Sequence, residues 1–274
     1  MIAPIREFLR KNLPAQAYRS IDWVWWTGRH YLPRRGASLL SRRNPKVQSF
    51  PAKKTASKLK DQLGSINVIR VTKICHIMTW HGSDKGIGRH DYTKVYSALF
   101  HSLQDKPLRL FELGLGSGNP SMPFYMGENA KPGASLRGWR EVFPSARIFG
   151  ADLDRDILFQ ENRISTFYCD QLDQTAISSL WSQPEMQGGM DIIIDDGYHS
   201  FEANISFLDG SLKHLHPGGI YIVEDITRGA LEEWRTVLEN TYSHRFPNHE
   251  FVLVELPNAM NNDDNNMLVI RRNT

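Results

Sequence analysis

From residue 108 onward, short apolar runs recur and an acid stands at the end of each. Residues 109–113 contain Glu112 and pass into glycines, residues 147–151 run into Asp152, and residues 164–168 lead to Asp170. Residues 191–194 end at Asp195-Asp196, and residues 219–223 end at Glu224-Asp225. Stretches of helical period at 135–143, 173–181 and 200–215 lie between them. Such alternation builds a parallel sheet with helices on both faces. The β-branched runs at 191–194 and 219–223 fit strands buried on both sides. Two further runs, 251–256 and 267–270, have no helix between them and read as an antiparallel pair joined by the polar loop 258–265. The expected fold is α/β, a seven-stranded, mostly parallel sheet closed by a C-terminal antiparallel hairpin. Ligands of open α/β sheets bind beyond the carboxyl ends of the strands, so the strand-end acids mark one edge of this sheet as functional.

Hydrophobic residues make up 41% of the chain, enough for a packed core and too many for a wholly disordered protein. Two cysteines, Cys75 and Cys169, cannot form a disulfide framework, and no CxxC pair suggests zinc. No apolar run approaches the ~18 residues of a membrane span. Arg6, Glu7, Arg10 and Lys11 interrupt the start of the chain, which lacks the apolar stretch of a secretion signal. A cytoplasmic protein is expected, with peripheral contact to a membrane as an added expectation. The net charge of +3 conceals an asymmetry: residues 1–60 carry 14 Lys/Arg against 2 Asp/Glu, and the remainder 19 against 28. This first segment also holds Ile2, Ile5, Phe8 and Leu9 at helical spacing, and Trp23, Trp25 and Trp26. Basic residues beside aromatics can bind an anionic membrane surface or a polyanion. The plainer reading is that the tryptophans pack on the main domain or on a second subunit.

Gly114, Gly116 and Gly118 follow the first run as GxGxG. The dinucleotide fingerprint would be GxGxxG opening directly into a helix, but here the next helix starts near Ser135. The glycines therefore allow close backbone approach without placing a helix terminus under a pyrophosphate. Asp152, at the end of the next run, suits the two hydroxyls of a ribose.

These features resemble a class I S-adenosylmethionine-dependent methyltransferase, and most closely the magnesium-dependent sugar O-methyltransferases that modify macrolide antibiotics. The matching pieces are Gly82-Ser83-Asp84-Lys85-Gly86 with His90-Asp91-Tyr92 and Tyr96, and Gly133-Ala134-Ser135-Leu136-Arg137-Gly138-Trp139. Phe149-Gly150-Ala151-Asp152, Cys169-Asp170-Gln171, Ile194-Asp195-Asp196-Gly197-Tyr198-His199 and the stretch from Pro217 to Asp225 continue them. The likeness spans residues 74–226, weakly includes the hairpin and leaves out residues 1–60. It implies a Rossmann-like fold in three parts: a basic aromatic arm (1–60), a helical substrate or lid segment (61–107) and the methyltransferase domain (108–274). S-adenosylmethionine and Mg²⁺ are the implied cofactors. Gly114 and Gly116 would lie under the methionine part, Asp152 would hold the ribose, and Asp170 and Gln171 would face the adenine. Ser135 and Trp139 would be cofactor neighbours, and Glu112 and Asp195 complete the cofactor-binding set. The resemblance also implies a homo-oligomer.

Asp196, Glu224 and Asp225, at the ends of neighbouring strands, offer three oxygen ligands suited to Mg²⁺. A lone Asp in such a place can instead cap the helix that follows. His199, three residues beyond Asp196 in a strand-to-helix turn, is placed to act as a general base. A sugar hydroxyl is hardly ionised at neutral pH, so a Lewis acid and an imidazole address its specific difficulty. Asp196 and His199 are accordingly the expected catalytic pair, and a sugar-containing molecule the acceptor. His81 and His90 are secondary candidates for the substrate pocket, residues 119–133 form a loop of lid length, and Asp84-Lys85 reads as a solvated turn. RNA methylation is the rival enzymatic reading, suggested by the basic arm, but the Asn/Asp-Pro-Pro-aromatic signature of base methylation is missing and nucleic acid is the disfavoured partner. A non-catalytic, membrane-associated binding module is a third reading.

Overall fold

The computed structural model describes residues 44–51, 57–67, 70–86, 90–257 and 263–274, all within one compact unit, Arg43–Thr274. The expectations for residues 1–43, with their three tryptophans, lie outside the described residues, as do 258–262 of the hairpin loop.

Among the described residues, nine strands form one sheet. They are β1 (Lys46–Ser49), β2 (Arg109–Leu113), β3 (Arg147–Asp152), β4 (Gln160–Glu161), β5 (Ile164–Tyr168), β6 (Met190–Asp195), β7 (Leu215–Ile226), β8 (His249–Glu255) and β9 (Asn266–Arg272). Their spatial order is β1-β8-β9-β7-β6-β2-β3-β5-β4. The strands β5, β3, β2, β6 and β7 run parallel, and β9 and β8 complete the sheet antiparallel. The seven expected strands are present, and the count is corrected by one short strand at each edge. β1 falls in the segment read as a basic arm and pairs antiparallel with β8, Lys46 opposite Glu255 with 3.7 Å between their charged atoms. Four residues of mixed polarity carry no strand period of their own; the partner far along the chain makes the strand. β4 has two residues and pairs antiparallel with β5, too short to leave a pattern. Short, charged edge strands also discourage pairing with another chain.

Among the described residues, the α-helices of seven residues or more are α1 (Lys58–Gly64), α2 (Lys73–His81), α3 (Tyr92–Phe100), α4 (Ala134–Val142), α5 (Gln174–Ser182), α6 (Phe201–Ser211) and α7 (Leu231–Val237), and they pack on the sheet. The period-two alternation of strand side chains divides the core. Leu110, Ile148, Ile192, Ile194, Ile220 and Ile222 meet α1 to α4 on one face. Phe111, Leu113, Phe149, Ile193, Tyr221 and Val223 meet α5 to α7 on the other. On the first face Trp139 of α4 is fully buried and meets Tyr96 and Phe100 of α3 edge-on, at 5.0 Å and 5.8 Å between ring centroids. Aromatic pairs of this geometry add about 0.5–1.5 kcal/mol each beyond their buried area, so α3 is bound into the core.

These connections fix where a ligand can bind. The crossover from β2 to β3 carries α4 on one face, and the crossover from β5 to β6 carries α5 on the other. The strand order reverses at β2, which has β3 on one side and β6 on the other. A crevice opens at such a reversal, beyond the carboxyl ends of the strands.

Candidate functional site

Two turns meet at that crevice. Gly114, just past β2, has φ +90°, and a Cβ there would stand 2.0 Å from the carbonyl oxygen of Asp196. The Asp196 amide donates to the Leu113 carbonyl at 3.0 Å, and the Gly114 amide to Ala151 at 2.8 Å. The glycine is required because the turn after β6 lies against the backbone itself. Gly116 also has positive φ. Beside them the Asp152 carboxylate accepts from the amides of Leu115 (2.7 Å) and Asp154 (2.8 Å). Burial raises it above its ordinary pKa, partly offset by these bonds.

The other expected cofactor residues fall into two groups. Glu112, fully buried, accepts from the Ser135 hydroxyl and the Trp139 indole, so α4 and the end of β2 are tied through that carboxylate. Gln171, also buried, donates to Asp195 at 2.8 and 2.9 Å and accepts from the Tyr198 amide at 2.7 Å. Asn204 donates to Asp195 as well, at 3.0 Å. Burial pushes the Asp195 carboxyl up to about 7 despite these donors. Asp170 accepts from the Leu172 amide at 2.9 Å.

Asp196, Glu224 and Asp225 emerge at the ends of β6 and β7, and the structure arranges them in a chain. Glu224 is fully buried and accepts from the Tyr96 hydroxyl and the Lys85 ammonium. Lys85 also donates to Asp196. Asp225 lies 2.9 Å from the Tyr92 hydroxyl, 3.1 Å from His90 Nδ1 and 3.5 Å from His199 Nδ1. Asp196, His199 and Asp225 each offer a ligand atom, all within 4.8 Å of one another, and so do His90, Asp225 and Asp264; Glu224 is in neither group. Burial works to raise Asp196, but the Lys85 ammonium and His199 outweigh it and hold the carboxyl below its ordinary value. Asp225 is pushed well above its ordinary value by burial, then by Asp196 and Glu224 beside it. A carboxyl so crowded by like charges is ready to accept a cation.

His199 and Asp225 both have left-handed backbones, φ 55° and 54°. Such conformations cost non-glycine residues on the order of 1–3 kcal/mol and gather at functional sites. The turn holding His199 is closed by α6, whose N-cap Ser200 accepts from the Ala203 amide at 3.2 Å. His199 Nδ1 has no hydrogen-bond partner. Burial lowers the imidazole below its ordinary pKa, outweighing the opposing pull of Asp196. The loop after β2 brings Phe124 edge-on to this ring at 5.0 Å and to Tyr198 at 4.6 Å. Phe124, Tyr125 and Met126 are about two-fifths exposed, a consecutive apolar stretch whose Phe124 lies against the histidine.

Sequence reasoning misplaced one residue. Lys85 is not in a solvated turn; it is 2% exposed, among the acids. The available signal was the acidic strand ends themselves, which need a compensating cation when buried. Tyr92, Tyr96 and His90 come from the same segment and bind the same acids. His81, the other secondary candidate, pairs with Glu141 of α4 at 3.1 Å.

No protein-family model matches the chain. It is 32% identical over 146 residues to the 8-demethyl-8-alpha-L-rhamnosyl tetracenomycin-C 2'-O-methyltransferase of Streptomyces olivaceus, covering 53% of this chain and 35% of that protein. It is 31% identical over 139 residues to the mycinamicin VI 2''-O-methyltransferase of Micromonospora griseorubida, covering 50% and 32%. The matches thus span about a third of the length of these relatives. Among solved structures, the MycE methyltransferase from the mycinamycin biosynthetic pathway, in complex with Mg and SAH, superimposes with a TM-score of 0.55 at 22% identity. That match covers 77% of this chain and 59% of the other. A MycE complex with Mg, SAH and mycinamycin VI gives 0.54 at 22% identity, over 80% and 60%. The chain therefore has the class I methyltransferase fold, and its sequence is similar to those of sugar O-methyltransferases.

Proposed function

We propose that this protein is an S-adenosylmethionine- and Mg²⁺-dependent O-methyltransferase acting on a sugar hydroxyl of a glycoside, polysaccharide or glycolipid. The observation that carries this reading is the convergence of Asp196, Asp225 and His199 at the crevice beside the Gly114–Gly116 turn. The relatives' names, one of which specifies 2'-O-methylation of a rhamnosyl compound, support the same acceptor class.

The donor set fits a hard cation: two converging carboxylates, one of them destabilised by its neighbours. Asp196 and Asp225 would hold it, and Glu224, expected as the third ligand, supports them from the Lys85 side. Bound there, a divalent ion supplies Lewis acidity that favours the ionised form of an alcohol. Gly114, Gly116 and Asp152 form the cradle for S-adenosylmethionine, and the two turns in contact at Gly114 hold cradle and acids in one register. Alignment of this sort is the protein's main contribution to a displacement at carbon. His199, kept neutral by burial, takes the hydroxyl proton. With that proton removed, the oxygen would be free to take the methyl group that bound S-adenosylmethionine would supply, the carbon–sulfur electron pair leaving on sulfur. Phe124, Tyr125 and Met126 would contact the less polar parts of the acceptor. Residues 1–42, which precede the folded unit, would serve attachment to an anionic membrane rather than catalysis, which co-sedimentation of full-length protein and a variant lacking residues 1–42 with anionic vesicles tests.

The decisive experiment is incubation with labelled S-adenosylmethionine, Mg²⁺ and rhamnosylated acceptors. Label should enter the sugar, and EDTA should abolish transfer. Transfer indifferent to EDTA would remove the metal from the scheme, and no transfer to any glycan acceptor would remove the acceptor class.

A further inference from the structure

Lys85 is left without a role in that scheme, yet it is among the most deeply placed charges of the described residues. Its ammonium donates to Asp196 Oδ2 and Glu224 Oε2 and lies 3.8 Å from Glu112 Oε1. The three acids come from three neighbouring strand ends, those of β2, β6 and β7. Their other bonds come from neighbouring side chains: Glu112 Oε1 accepts from Ser135 and Oε2 from Trp139, and Glu224 Oε1 accepts from Tyr96. Carboxylate oxygens gathered around one point make the environment hard cations take. Here the occupant is an ammonium tethered to the chain.

We propose that Lys85 is the permanent cation of this site: it fills an inner cage of Glu112, Asp196 and Glu224 and so confines exchangeable divalent ion to one outer position at Asp196 and Asp225. Asp196 is the wall between the two positions, with Oδ2 held by the ammonium. Lys85 is a positioning residue that fixes this wall. Without it, three carboxylates, two of them fully buried, face one another uncompensated, a strongly destabilising arrangement, and a divalent ion takes the ammonium's place. The outer position rests on the function proposed above; the inner cage does not.

The test counts bound Mn²⁺ by electron paramagnetic resonance in wild-type, K85M and K85M/E224Q protein. One ion per chain is expected for wild type. K85M should bind two, close enough for their signals to broaden each other, and its melting temperature should rise further with Mn²⁺ than that of wild type. K85M/E224Q, with one carboxylate of the cage neutralised, should return to one ion. K85Q, closer in shape, should also gain an ion and guards against a packing defect peculiar to Met. The proposal is overturned if folded K85M and K85Q bind no more Mn²⁺ than wild type. It is equally overturned if both stay unfolded at saturating Mn²⁺, or if K85M/E224Q keeps the second ion. Wild type with no ion and K85M with one would retain the inner cage and remove the outer site.

Discussion

Asp195 and Asp196 are consecutive residues at the end of β6, and their surroundings solve the same problem in two ways. Asp195 is compensated by dipoles alone, the amides of Gln171 and Asn204 at 2.8–3.0 Å and the Gly197 N–H at 3.3 Å. Burial still prevails there, and the carboxyl rises to about 7. Asp196 faces a full positive charge on Lys85, and burial is outweighed. Neutral donors hold a buried carboxyl in place without keeping it ionised; an ammonium does both. The dipole side therefore serves as a bracket between the ends of β5 and β6, and the charged side is where chemistry that needs an anion can run.

This contrast can be broken in several places. The largest effect is expected from H199A, which should lower kcat by about 10²–10⁴-fold, the usual worth of a general base, with S-adenosylmethionine affinity by calorimetry little changed. D195N, on the dipole side, should leave kcat within about tenfold of wild type while shifting stability. Equal losses in the two variants would erase the distinction. Next comes G114A. Its Cβ would collide with the Asp196 backbone, and denaturant unfolding should show a loss of roughly 2–4 kcal/mol. A loss below ~1 kcal/mol would mean that the two turns yield independently.

A third, smaller effect concerns pH. The Asp195 pKa is raised on folding, so its contribution to stability is full below the unfolded carboxyl value and is lost as pH rises through about 7. D195N should remove that decline, about 1–3 kcal/mol across pH 4–8, as read from unfolding midpoints at matched ionic strength. The smallest effect has the opposite sign and lies at the other edge of the sheet. His249 begins β8, with both ring nitrogens unpartnered by hydrogen bonds and a pKa lowered to about 4 by burial and then by Arg272. Stability held above the ordinary histidine pKa is lost as pH falls from there toward 4, and H249N should soften that loss by up to ~1 kcal/mol.

Much of this architecture was legible because it is local. The strands at 109–113 and 164–168 coincide with β2 and β5, since apolar runs ending in glycine or acid carry their own boundaries. Asp173 and Ser200, as N-caps, mark the starts of α5 and α6. β1 was not legible, because Lys46–Ser49 is a strand only through β8. Spacing groups Asp196, Glu224 and Asp225 as one ligand set, and the fold places Glu224 on the Lys85 side and Asp225 on the His199 side of Asp196. Which oxygen of Asp196 faces which neighbour depends on Lys85, delivered from a turn more than a hundred residues upstream. Sequence spacing shows that acids share an edge; only the fold shows which of them is already neutralised.

The contact between Gly114 and the Asp196 backbone also bears on engineering. The turn after β2 and the turn after β6 are welded at a point with no room for a methyl group, so remodelling either disturbs both. The exposed segment Phe124–Met126 touches the turn after β6 through side chains, Phe124 against Tyr198 and His199, rather than through packed backbone, so substitutions at Tyr125 and Met126 are the gentler route to altering acceptor choice.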